Sequence, residues 1–239
     1  MRGFVRILVI ALAALVIAAL AWKWIPRFHD YFTAESSILK VPAFPEIKEF
    51  YPELYNQILA DTKAAILRGG SMDEIIAENG QNLAALLQND LPMASPDATS
   101  AFIKSFIRVF EKAGAQDPAC CVDLINGDDR CMWSLMTAGE KDEVLRAIAL
   151  IIRSAHTEPT KLTNQKQAVK DVGRISSDVV AKYGPEIDYT AQSPLTDEEK
   201  KKVCFAIADL YSGTLKLPPQ RSSDAIKYLL SGTGEQPQQ

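Results

Sequence analysis

The chain has 239 residues, with 26 basic against 30 acidic side chains and a formal charge of −4. That length suits one large domain or two small ones, and 23% charged and 8% aromatic residues are ordinary for a globular protein. The charge is uneven: Arg2, Arg6, Lys23 and Arg27 fall in the first 27 residues, which hold no acidic residue, and leave 22 basic against 30 acidic beyond them. The remaining net charge of −8 argues against nucleic acid as a partner, because that binding neutralises phosphates with cations.

Residues 7–22, ILVIALAALVIAALAW, are sixteen positions without a charge. As a helix they would be about 24 Å long, against a hydrocarbon core about 30 Å thick. Phe4 and Val5 on one flank and Trp24 and Ile25 on the other extend the apolar stretch. Arg6 and Lys23 can snorkel to the head groups, and Trp22 and Trp24 suit the interfacial belt. Residues 1–25 are therefore expected to be a signal-anchor transmembrane helix, with the lipid bilayer as its partner. The alternative is a signal peptide cleaved near Ala21, after Ala19-Leu20-Ala21, giving a secreted chain. A short basic N-terminus ahead of the span favours a domain outside the cytoplasm, on the periplasmic side of a bacterial cell.

Residues 26–45 contain Pro26, Pro42 and Pro45 among mixed polarity. They are expected to form a juxtamembrane linker, with a short helical piece near Phe28 to Phe32. From there the apolar spacing is helical, and 46–231 are expected to form one helical domain. Ile47, Tyr51, Leu54, Tyr55, Ile58 and Ile66 trace a long helix that Pro52 kinks or restarts and Gly69-Gly70 ends. Ser71 with Glu74 has the spacing of a capping box for the next helix. Ser95 or Pro96 opens another through Phe102, Phe106 and Phe110, ending at Gly114.

Two short helices are expected around the turn Asn126-Gly127-Asp128-Asp129. Residues 140–155 are the most apolar helix after the leader and are expected at the centre of the bundle. Val169 to Tyr183 form another, stopped by Gly184-Pro185. Thr196 with Glu199 caps the next, and a last one carries Ala225, Ile226, Leu229 and Leu230. No run alternates with period two. The fold class is all-α: an irregular bundle of seven or eight helices behind the N-terminal helix, with a disordered tail at 232–239.

Four cysteines, Cys120, Cys121, Cys131 and Cys204, are the candidate disulfide residues of an exported domain. A bridge between adjacent Cys120 and Cys121 would be strained. Either remaining pairing closes one short loop to Cys131 and one long loop to Cys204. No N-x-S/T glycosylation acceptor occurs, which is compatible with a bacterial envelope. Nothing suggests a zinc site, since no C-x2-C spacing occurs and the two histidines are His29 and His156. His156 follows a helix end and is expected to meet its terminal carbonyls. His29-Asp30 lies beside the anchor. Asn126, Asp128 and Asp129 lack the spacing of a calcium loop.

The Glu35-Ser36 pair matches the order lytic transglycosylases use at their catalytic glutamate, yet the downstream Gly-Leu-Met-Gln element of that family is absent. Asp73-Glu74 and Asp197-Glu198-Glu199 suit helix N-termini. No catalytic residue, cofactor or metal is assigned. The expected function is a membrane-tethered, non-enzymatic helical envelope protein that binds a protein or ligand. An envelope hydrolase using carboxylates from separate helices is the alternative.

Overall fold

The structure is a computed structural model and describes residues 30–70, 80–126, 130–185 and 195–230. The apolar leader, the proposed Ser71–Glu74 capping box and the C-terminal tail lie outside those residues. The described residues are entirely helical or loop, with no strand, as the spacing requires. Among them no helix is long and apolar enough to cross a membrane.

Eleven α-helical segments are present among the described residues, more than the seven or eight expected. Part of the excess comes from the segment expected as a linker. From residue 30 onward it is structured: α1 covers 30–38, and α2 runs Phe44–Phe50. Ile38, Ala43 and Phe44 are almost fully buried there. Of the prolines that suggested a linker, Pro45 lies in the first turn of α2 and Pro42 in the turn just ahead of it, while Pro26 lies outside the described residues. Ala43, ahead of it, adopts a left-handed φ of 75°, a conformation alanine takes only at a cost of about 1 kcal/mol.

Pro52 ends one helix and opens the next. Tyr51 is the hinge, capping α2 and preceding α3, Pro52–Arg68. Gly69 then turns left-handed at φ 86°, and the Gly70 N–H bonds the Ala65 carbonyl at 2.9 Å, closing the helix as expected of Gly-Gly. α4 is Gly80–Asp90, followed by a 3-10 turn at Leu91–Met93.

α5, Pro96–Gln116, is the axis of the molecule. Ser95 caps it by accepting from the Ala98 N–H. It does not stop at Gly114, which is buried in its last turn, but runs on to Gln116. α6, Pro118–Ile125, and α7, Arg130–Leu135, are the two short helices expected here, and residues 127–129 between them lie outside the described residues. α8 is Ala138–Thr157, α9 Gln165–Tyr183, α10 Asp197–Leu215 and α11 Pro219–Leu230.

Two main cores lie on either side of α5. One joins α1 to α4 with α7 and α8 through Ile47, Ile58, Leu86, Trp133, Leu145 and Ile152. The other joins α5, α6, α10 and α11 through Ile103, Phe110, Val203, Ile207 and Ile226. α5 therefore holds the position expected of residues 140–155. α8 is amphipathic rather than apolar all round: Ile151 and Ile152 are fully buried, and Leu150 just before them is 49% exposed. Its density of apolar residues suggested a central helix, but a helix with one wet face belongs at the rim.

Candidate functional site

Three chain segments meet where α2, α4 and α8 end, and each brings a polar side chain that the fold could have left in water. Tyr51 is placed by the α2–α3 hinge, where its N–H bonds the Ile47 carbonyl at 2.8 Å. Asp90 is the last residue of α4 and only 5% exposed. His156 sits in the last turn of α8.

The Tyr51 hydroxyl donates to Asp90 Oδ1 at 2.5 Å. It lies 3.0 Å from His156 Nε2, and that nitrogen is 3.4 Å from the same Asp90 oxygen. With its own hydrogen committed to Asp90, the phenol oxygen accepts from the imidazole, which places the ring hydrogen on Nε2. Phe50 stacks flat on the imidazole, 4.7 Å between centroids at 14°, and fixes its plane. One turn earlier on α8, Arg153 is paired with Glu46 at 2.7 Å.

The electrostatics follow from burial. Loss of water pushes the Asp90 carboxyl above the usual carboxylate range, against the opposing pull of the Tyr51 hydrogen bond and His156. Burial, reinforced by the Asp90 acceptor, holds the Tyr51 phenol far above its ordinary value. Asp90 Oδ2 is buried with no hydrogen-bond partner among the described residues. A buried carboxylate with a free oxygen, a phenol and a half-exposed imidazole can pass a proton or accept a cation.

His156 thus meets a phenol and a carboxylate from distant segments rather than the carbonyls of its own helix. Neither partner carries a local signal, because Tyr51 fits a core pattern and Asp90 a helix end. The other residues singled out in the sequence lie elsewhere. Glu35, on α1, pairs with Lys48 at 2.8 Å, which holds its carboxyl below the usual range. Asp30 begins the described part of α1. His29, Asp73, Glu74, Asp128 and Asp129 lie outside the described residues. Thr196 and Glu199 form the expected capping box.

The cysteines fall into two pairs at disulfide distance. Cys120 pairs with Cys131 and Cys121 with Cys204, with Cα separations of 5.5 and 5.8 Å. Of the two pairings the spacing allowed, helix geometry selects this one: adjacent side chains on α6 point about 100° apart, one toward α7 and the other toward α10.

A second polar network was not legible in the sequence. Asp224 on α11 accepts from the Thr163 N–H at 3.1 Å, the Thr163 hydroxyl at 2.6 Å and the Asn164 N–H at 3.2 Å. Asp171, 3% exposed, takes a two-pronged bond from Arg221, one prong at 2.9 Å, which lowers its carboxyl. Lys227, equally buried, donates to the carbonyls of Ala94 and Thr160. These groups satisfy one another and tie the loop after α8 to α11, a structural duty. No protein-family model, curated protein or solved structure matches the chain.

Proposed function

We propose that this chain is a membrane-tethered helical protein of the cell envelope that acts by binding a protein partner, with its disulfide-braced domain outside the cytoplasm. The observation that carries the binding reading is the outer face of α3. Leu59, Ala60, Ala64 and Leu67 line a shallow groove there, bordered by Tyr31 and Lys63. Beside it Phe32 is 79% exposed and Leu67 37%. Apolar side chains grouped in this way mark contact surfaces. Phe32 is also only seven positions beyond Ile25, the end of the apolar leader, so the groove stays near any membrane the leader enters. The two cysteine pairs support an oxidising compartment. The partners of the buried Asp90 are a phenol and an imidazole rather than a second carboxylate, which favours binding over the paired-carboxylate hydrolase.

A photo-crosslinking residue at Phe32 or Leu67 tests the reading in native membranes. The same protein adduct from both positions, missing from a probe at exposed Asp178 on α9, is expected. Lipid adducts alone, or none, would overturn partner binding. Alkylation under non-reducing denaturation should find all four cysteines protected, and four reactive thiols would overturn the compartment.

A further inference from the structure

The Asp90, Tyr51 and His156 cluster is compact enough to do more than share hydrogen bonds. Its three donor atoms come from three separate segments, yet every pair lies within 3.4 Å. A point about 1 Å out of the plane of those atoms is about 2.0–2.1 Å from all three, the bond length of a transition metal to imidazole nitrogen or carboxylate oxygen.

We propose that Tyr51 Oη, Asp90 and His156 Nε2 form a mononuclear transition-metal site, with ferric iron as the ion that fits best. The donor set is one imidazole nitrogen and two oxygens. Carboxylate and phenolate are hard ligands, and imidazole accepts iron readily. The free, buried Asp90 Oδ2 is the second observation that points to a ligand, for it is a lone acceptor that a bidentate carboxylate would use. Phe50, stacked on the imidazole, holds its ring plane fixed. Arg153, the nearest cation on α8, is neutralised by Glu46 and does not oppose a metal charge. His156 keeps about a third of its side-chain surface in water, so an ion and its remaining ligands reach the site from solvent.

The protons balance simply. The ion replaces the phenol hydrogen, which leaves to solvent, and the imidazole hydrogen moves from Nε2 to Nδ1. One proton is released per ion, so affinity rises with pH. The site stands apart from the groove on α3 and from the membrane tether, and its failure would leave both unaffected.

The test uses the full chain in detergent micelles, titrated with ferric nitrilotriacetate. A phenolate bound to ferric iron has a charge-transfer band in the visible, which no hydrogen bond produces. A band that saturates at one iron per chain is expected. Tyr51→Phe should abolish it, and Asp90→Asn and His156→Gln should each weaken binding at least about tenfold, while Asp178→Asn leaves it unchanged. Helical circular dichroism establishes that each variant is folded. No visible band in the unmodified protein, or a band that survives Tyr51→Phe, would overturn the assignment, and neither result depends on a variant that fails to fold.

Discussion

Lys227, on the last helix, donates from its ammonium to the carbonyl of Ala94 at 2.7 Å, 133 positions earlier in the chain. The same nitrogen reaches the Thr160 carbonyl, and the Thr160 N–H bonds the Met93 carbonyl at 2.8 Å. One side chain thus joins the start of α5, the loop after α8 and α11. Burial pushes its pKa below that of an ordinary lysine, with Asp224 opposing. Lys227→Met keeps the volume and strips two buried carbonyls of their donor. Stability should fall by about 1–3 kcal/mol, read from urea unfolding. An unchanged midpoint would mean that the carbonyls are satisfied without the ammonium.

Glu140 should give the domain part of its acid sensitivity. Its carboxylate accepts from Lys112 at 2.6 Å and from the Thr137 N–H and hydroxyl at 2.6 and 2.7 Å, closing a capping box at the start of α8. Chiefly because of Lys112, then Thr137, its pKa drops from 4.5 to about 2. A depressed carboxyl contributes stability above the unfolded value that disappears as pH falls through the folded one. Glu140→Gln should therefore cost about 1 kcal/mol at neutral pH, and the difference should close between 4.5 and about 2. Melting curves across that range measure it, and a constant gap would contradict it.

Asp90 should behave with the opposite sign. Its raised pKa means that its contribution is full below 3.8 and is lost as pH rises through the folded value. Asp90→Asn keeps an oxygen for Tyr51 and never ionises. Thermal melts of the two proteins should diverge as pH climbs above 3.8, with the variant gaining on the parent. Melting curves whose difference stays fixed from acid to neutral pH would count against the buried charge.

Two glycines inside helices should respond oppositely to alanine. A Cβ on Gly114 would stand 2.8 Å from the Cβ of Cys204, itself held by Cys121, so neither helix can yield cheaply. Gly114→Ala should lose about 1–3 kcal/mol as α5 and α10 are forced apart. A Cβ on Gly173 meets nothing within 4 Å, so Gly173→Ala should gain about 0.5–1 kcal/mol from helix propensity. Equal effects in chemical denaturation would refute the close approach of α5 and α10.

Much of the framework could be read locally. Gly69-Gly70, Gly184, Pro52, Pro96 and the Thr196–Glu199 box act through neighbours a few residues away, and they end or start helices where expected. Gly114 misled for the same reason: locally it is a stop, but packing against Cys204 makes it a passage. Pro42 and Pro45 marked a linker by composition, whereas the burial of Phe44 and Ile47 is set by α3 and α8. The Tyr51–Asp90–His156 cluster could not be seen at all. Its members are 39 and 105 positions apart, and nothing near any of them specifies the others.

A disulfide between Cys121 and Cys204, which lie at disulfide distance, would also set how the domain carries load. Those residues are 83 positions apart, and that much chain drawn straight spans about 290 Å. A pull between α1 and α11 runs from α6 directly into α10, so α7, α8 and α9 hang on a slack branch. Tension that peels away the outer helices therefore stops at a covalent link, and most of the length in that branch is paid out only after a reductant has cut it.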